Sequence, residues 1–127
     1  MKWLDNTLIS GPFLTLVLSQ KECDKAFTHC GIPKEDWCPW VKTAHSDATL
    51  HILNNTNGRL CCIVAMRVKE GVTGVQIAGL LVHEAVHVWQ AFRDRIGETS
   101  PSSEFEAYSI QTISQTLMEE YSRRIAL

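Results

Sequence analysis

Hydrophobic and polar positions in the first part of the chain indicate a strand followed by a helix. The run at 13–18 is short, apolar and rich in side chains that favour extended backbone. Ser19 and Glu22 have the spacing of an N-cap and its capping-box partner, which predicts a helix towards residue 29 or 30. Gly31 predicts where that helix ends.

The middle of the chain has the pattern of a loop followed by a β-hairpin. Residues 33–47 contain two prolines and two tryptophans, which favour an irregular, partly packed loop. Residues 49–53 and 59–68 are both β-prone, and the segment 54–58 between them is dense in turn-forming residues. The hydrophobic pattern therefore predicts two antiparallel strands joined by a turn.

Two long helices are predicted in the last part of the chain. Thr73 and Gln76 form a second capping-box pattern, and the apolar stretch behind them continues without proline to residue 97. That length corresponds to roughly 23 residues, or about 35 Å. Ser102 or Ser103 is suited to cap a final helix that runs towards residue 124.

These elements together predict an α+β domain. A small, mainly antiparallel sheet would be covered by two helices, one of them the long helix that follows the hairpin. With 127 residues the chain fits one domain with one core, over 1–127.

Composition and charge exclude several classes of protein. Apolar residues make up 45% of the chain and charged residues 20%, as in ordinary globular proteins. A net charge of -2 gives no reason to expect binding to nucleic acid or to an anionic membrane. The apolar runs are far shorter than the ~20 residues that a membrane helix needs. The first six residues include an acid and an amide, unlike a signal peptide, so we expect a cytoplasmic protein.

The cysteines favour the same compartment. There are five, an odd number, and no pair has the C-x-x-C spacing. Free thiols in a reducing environment fit this pattern better than a disulfide framework or a cysteine-rich zinc site.

The segment His83-Glu84-Ala85-Val86-His87 carries the clearest chemical signal. His83 and His87 are four residues apart on the long helix, so both rings project from one face, one turn apart. That spacing suits two ligands of one tetrahedral Zn²⁺ ion. Glu84 lies about 100° further round the helix, where a carboxylate can act as general base on a zinc-bound water. The flanking residues are apolar nearly all round, which predicts a buried helix.

A third protein ligand is needed, and the sequence offers two acids for it. All five histidines lie at or before the motif, so no histidine follows it. Glu104 and Glu106 open the last helix and are about 200° apart on it, so only one can face the metal. On a helical wheel Glu106 falls on the apolar face, which predicts that it is the buried one, whereas Glu104 shares a polar stripe with Tyr108. The helical wheel does not decide whether Glu104 or Glu106 is the third ligand.

The two histidines, the glutamate beside them and a helical glutamate after a short loop resemble the gluzincin metallopeptidases. In that family the ligand glutamate tends to have a small residue three places on and a polar one four places on. Glu104 has Ala107 and Tyr108 at these positions, whereas Glu106 is followed four places on by Ile110. The resemblance covers 75–115 and implies a zincin-like fold with Glu104 as the third ligand and Glu106 as the alternative. Short zincin-like proteins also occur in phages and prophages.

Other residues have supporting roles in this interpretation. Tyr108 stands where the family often has an aspartate, and it could donate a hydrogen bond to a developing oxyanion. Gly79, one turn before His83, suggests the close approach of another segment, and Gln90 or Asp94 could orient His87. The resemblance also implies that the strand at 59–68 binds an extended substrate by its edge. We expect neither His45 nor His51 to be a ligand, and His51 is predicted to point outward from its strand.

The sequence thus predicts a zinc-dependent hydrolase, most simply a metallopeptidase acting on a peptide or protein. The alternative is a zincin-like protein that binds zinc without catalysis and acts by interaction. A third hypothesis, which the residues do not exclude, is zinc-dependent hydrolysis of an amide other than a peptide bond.

Overall fold

A computed structural model of the protein describes residues 11–43 and 47–125. Within these ranges the chain forms an α+β fold, and its elements in order are β1 (Phe13–Val17), α1 (Gln20–His29), a 3₁₀ turn (Lys34–Asp36), β2 (Ala48–Asn54), β3 (Leu60–Met66), α2 (Gly74–Arg95) and α3 (Ser103–Ile125). The predicted strand, hairpin and helices are all confirmed. The expectations for the first six residues and for His45 lie outside the described residues.

The sheet is mixed, which corrects the expectation of a mainly antiparallel one. Its strand order is β1-β3-β2. The hairpin strands β2 and β3 pair antiparallel, whereas β1 pairs parallel to β3 with Phe13 opposite Cys61. Between β1 and β3 the chain passes through α1, the loop and β2. This connection brings β3 back beside β1 in the same direction.

Strand β3 is the centre of the sheet, and all seven of its residues are buried. Both of its edges are already paired, one with β1 and the other with β2. The expectation that the strand at 59–68 offers an edge to a substrate is therefore wrong. Of the described strands, the one next to α2 with a free edge is β2.

Helices cover both faces of the sheet. Helices α2 and α3 pack on one face, where the main core is formed by Leu16, Leu60, Cys62, Val64, Met66, Ile77, Leu81, Ala85, Val88 and Leu117. The opposite face packs against α1 and the loop before β2, through Val17, Cys23, Phe27, Val41, Ile63 and Ala65. Two helices cover one face of the sheet, as predicted, but the prediction did not include α1 on the other face.

The predicted helix starts are confirmed, with one difference in detail. At α2 both capping-box bonds form, from Gln76 N to Thr73 Oγ1 at 3.1 Å and from Thr73 N to Gln76 Oε1 at 2.9 Å. At α1 the backbone N–H of Glu22 donates to Ser19 Oγ at 3.2 Å, but the Glu22 carboxylate accepts from Leu18 N instead of the N-cap.

Helix α2 is buried on one side only, which corrects the expectation of a helix buried all round. Leu81, Ala85 and Val88 lie in the core, whereas His83 and His87 are exposed. The apolar character of the exposed side comes from residues such as Val82, which is 38% exposed. No helix in the described part of the chain is long and apolar enough to cross a membrane.

Candidate active site

The two histidines of the motif lie together on the exposed side of α2. Their ring centroids are 4.9 Å apart, with an angle of 77° between the ring planes. Two imidazoles bound to one tetrahedral zinc ion, with Zn–N near 2.0–2.1 Å, have centroids roughly 5 Å apart. The spacing of His83 and His87 therefore fits a pair of ligands on one ion.

Gln90 contacts His87 from one turn further along the helix. Gln90 Oε1 lies 3.0 Å from His87 Nδ1. An amide oxygen only accepts hydrogen bonds, so in this orientation of the amide the neutral ring carries its proton on Nδ1 and keeps the lone pair of Nε2. Asp94, the other residue predicted to orient this ring, lies instead 3.7 Å from the guanidinium of Arg93.

Glu84 is the buried member of the motif. It is 5% exposed, and its Oε2 atom has no hydrogen-bond partner. Burial raises the pKa of the Glu84 carboxyl above its ordinary value, while positive charge on His83 and His87 acts in the opposite direction. Glu84 therefore holds a proton more readily than an exposed carboxyl does, as general acid–base residues often do.

Two clefts beside α2 meet at Glu84. The first, the His87 cleft, is lined by Lys42, Ala48, Thr49, Leu50, Ile52, Glu84, His87, Gln90, Ala91 and Asp94. The second, the His83 cleft, is lined by Asp47, Ala48, Arg67, Lys69, Val72, Gln76, Ile77, Gly79, Leu80, His83 and Glu84. They share Ala48 and Glu84, so the buried carboxyl borders both clefts.

Gly79 lines the His83 cleft, but it is not a point of close packing. A Cβ atom placed on it would have no atom within 4 Å outside its own neighbourhood. The expectation that another segment of the chain approaches Gly79 closely is therefore wrong, and the space above this residue belongs to the open cleft.

The acids of the last helix lie in different surroundings. Glu106 is half-buried, and its Oε2 accepts a hydrogen bond from Trp89 Nε1 at 2.9 Å, which confirms that it is the inward-facing acid. Glu104 is exposed, and Tyr108 is 63% exposed. Neither cleft beside the histidines is lined by any of these three residues.

The two histidines thus fit a metal ion, whereas the third ligand is not brought to them. Within 11–43 and 47–125, no group of three or more histidine, cysteine, aspartate or glutamate side chains is arranged to hold a metal. The donor chemistry of the pair suits zinc, since neutral imidazole is a preferred zinc ligand. An acid from α3 would have to move to complete the set.

His51 belongs to a different part of the molecule. Its Nε2 atom lies 2.8 Å from the carbonyl oxygen of Trp40, and its ring meets Phe27 edge-on with 5.5 Å between centroids. The side chain is half-buried, so the prediction that it points outward is wrong. Its partners lie on the α1 side of the sheet, away from His83 and His87.

Sequence reasoning missed the contribution of β2 to the site. Leu50 and Ile52 were assigned only to a hairpin strand, yet both line the His87 cleft. The signal that was available is their alternation with His51, which places them on the opposite face of the strand. The contact between Trp89 and Glu106 had no signal, because it depends on how α3 is rotated against α2.

Comparison with protein-family models, curated proteins and solved structures finds no match to this chain.

Proposed function

We propose that the protein is a zinc-dependent hydrolase, a gluzincin-like metallopeptidase with a zincin-like fold. The observation that carries the proposal is the combination on α2 of a buried, partly unpartnered carboxyl with two exposed imidazoles at the spacing of one tetrahedral ion. A buried carboxyl without a partner costs stability, so its presence at the junction of two clefts is better explained by chemistry than by folding.

The residues of the motif divide the work between binding and proton transfer. His83 and His87 hold the metal, and Gln90 leaves His87 Nε2 free to do so. Zinc held by them would supply a Lewis acid that activates water near neutral pH. Glu84 would accept the proton of the attacking water and pass it to the leaving amine, and burial, which raises the pKa of this carboxyl, favours its holding the proton between the two steps.

The proposed substrate is an extended peptide that lies along β2. This strand is at the edge of the sheet and faces α2, and Leu50 and Ile52 give the His87 cleft an apolar wall. The free edge of a strand offers backbone N–H and C=O groups in a row, which pair with an extended chain. Ile52 is 55% exposed, so an apolar side chain of the peptide would find a partner there.

For the third ligand we propose Glu106 before Glu104, which reverses the preference drawn from the sequence. Glu106 already contacts α2, through the indole of Trp89, whereas Glu104 is exposed. Trp89 is buried on the side of α2 away from the exposed histidines, so Glu106 would have to leave this bond and move to reach the ion. Tyr108 keeps its proposed role as oxyanion donor only if the first turn of α3 moves towards the cleft.

Metal analysis of the purified protein, together with single variants, tests the ligand set. We expect one zinc per chain in the wild type, loss of zinc in His83→Ala and His87→Ala, and loss in Glu106→Ala with retention in Glu104→Ala. Retention of full zinc in both glutamate variants would show that neither Glu104 nor Glu106 is a ligand. Retention in His83→Ala would end the proposal.

Activity is tested with Glu84→Gln on a mixture of peptides of known sequence, with cleavage followed by mass spectrometry. The variant should keep its zinc and lose cleavage by several orders of magnitude, because the general base is gone. His29→Ala serves as the control, since this exposed histidine at the end of α1 is remote from the clefts.

Glu84→Gln also distinguishes the proposed hydrolase from a second candidate function, that of a protein which binds zinc without catalysis. One observation favours that candidate: Tyr108, the proposed oxyanion donor, lines neither of the clefts beside the histidines. The protein acts by interaction and not by hydrolysis if the wild type binds zinc but cleaves no peptide, and if Glu84→Gln changes neither zinc binding nor cleavage.

A further inference from the structure

Gln90 lies one turn after His87 on α2, and both residues line the His87 cleft. The distance of 3.0 Å between Gln90 Oε1 and His87 Nδ1 is that of a good hydrogen bond. The contact is exposed and contributes little to the stability of the fold. Its chemical consequence is that it favours the tautomer of His87 with the proton on Nδ1.

The two histidines differ in this respect. The hydrogen bonds found among residues 11–43 and 47–125 include one to the ring of His87 and none to the ring of His83. Asp94, one turn beyond Gln90, lines the same cleft, but the ring of His87 is hydrogen-bonded to Gln90 and not to Asp94. Only one ring of the pair therefore has its tautomer and its orientation determined by a neighbouring side chain.

We propose that Gln90 is a positioning residue, which holds His87 in the Nδ1–H tautomer and directs Nε2 towards the metal. The inference rests on the proposed zinc site and adds to it a residue outside the H-E-x-x-H motif. A ring held in this way loses less conformational freedom when the metal binds, and a metal ligand that donates its other N–H is a better base. His87 is then the anchoring ligand, and His83 adjusts to the ion.

The test compares Gln90→Leu, Gln90→Glu and a matched control, Gln115→Leu, an exposed glutamine near the middle of α3. Leucine keeps the length and the helix propensity of glutamine but removes the acceptor. Two quantities are measured: the zinc dissociation constant, by competition with a chelator of known affinity, and the ¹⁵N chemical shifts of the His87 ring in the metal-free protein at a pH where it is neutral.

We expect Gln90→Leu to weaken zinc binding about 10- to 100-fold, the range found when the outer partner of a ligand histidine is removed. Gln90→Glu should restore the affinity, because a carboxylate also accepts the Nδ1–H bond. Gln115→Leu should bind as the wild type does. In the metal-free protein, the Nδ1–H tautomer should dominate in the wild type and lose its dominance in Gln90→Leu.

Zinc binding by Gln90→Leu as tight as that of the wild type would overturn the inference while the proposed function stands. If the wild type binds no zinc, the proposed function fails, and the ¹⁵N shifts still decide whether Gln90 selects the tautomer of His87. An unchanged tautomer in Gln90→Leu would overturn that assignment on its own.

Discussion

Glu84 is the residue at which stability and proposed chemistry conflict. It is nearly inaccessible, and Oε2 has no partner to replace the water that it loses on folding. The spacing of the motif in the sequence predicted that Glu84 would lie beside the histidine face, and the structure confirms this. The sequence did not indicate that Glu84 alone would be buried while His83 and His87 stay exposed, because that depends on the depth at which α2 sits against β2.

Glu84→Gln should make the metal-free protein more stable at neutral pH, by on the order of 1 kcal/mol, since a neutral amide is cheaper to bury than a charged carboxylate. Burial raises the pKa of Glu84, so the folded state holds this proton more tightly than the unfolded state does. The wild type therefore loses stability as the pH rises above the ordinary carboxyl pKa of 4.5.

Urea unfolding of both proteins at several pH values, with a chelator present, measures this difference. The gap between variant and wild type should widen from acid to neutral pH. A gap that is the same at every pH would mean that the ionisation of Glu84 does not contribute.

At the scale of elements, helix α2 could be predicted closely, because its ends are determined by local chemistry. Thr73 and Gln76 form both capping bonds, and Gly97 has the positive φ of 75° that ends the helix. The parallel pairing of β1 with β3 could not be predicted in the same way. It depends on the path of the chain between the two strands, for which the local pattern of apolar residues contains no information.

Gly79→Ala should stabilise the protein by about 0.5–1 kcal/mol, because glycine inside a helix has a larger entropy cost than alanine. The added Cβ meets open space, so no clash offsets the gain. Gly97→Ala is the matched control and should be destabilising, since its φ of 75° is unfavourable for a residue with a Cβ. Chemical unfolding measures both changes. A loss of stability in Gly79→Ala would indicate a close contact at this position after all.

Besides the bond between Glu106 and Trp89, helix α3 has a polar contact with the junction of β1 and α1. Arg124 donates to the carbonyl oxygen of Leu16 at 3.1 Å and pairs with Glu22, which also accepts from Leu18 N at 2.8 Å. Partial burial raises the pKa of Glu22, but the bonds from Leu18 and Arg124 outweigh it, and the net pKa is lowered. The contact therefore joins the end of α3 to the junction of β1 and α1.

Glu22→Gln should lower stability at neutral pH by about 1 kcal/mol, the usual scale for a hydrogen bond of this kind. Because the folded-state pKa is lowered, the carboxylate contributes above the ordinary value of 4.5, and its contribution disappears as the pH falls through the lowered pKa. Glu120→Gln is the control. Its pair with Arg123 lies at the surface, and such pairs contribute little. Equal losses in both variants, at every pH, would contradict this account.

For the whole molecule, the candidate site links metal binding to folding. A ligand that binds only the folded state at 100 times its dissociation constant stabilises by about 2.7 kcal/mol, which raises the Tm of a domain of this size by roughly 10 °C. We expect this shift with zinc in the wild type under reducing conditions, its reversal by chelator, and its absence in His83→Ala. His29→Ala should keep the shift. A shift of equal size in His83→Ala would place the zinc elsewhere, for example on the free thiols.

The parallel pairing of β1 with β3 has a consequence for the order in which the molecule folds. The hairpin and α2, which provide most of the residues that line the two clefts, are consecutive in the chain, so their contacts close short loops. Strand β1 pairs with β3, which is separated from it in the chain by α1, the loop and β2. Pairing between strands so far apart in sequence is slow. We therefore expect the cleft region to acquire protection from hydrogen exchange before β1 does. Changes in β1 would then retard the last step of folding and leave the geometry around Glu84 intact.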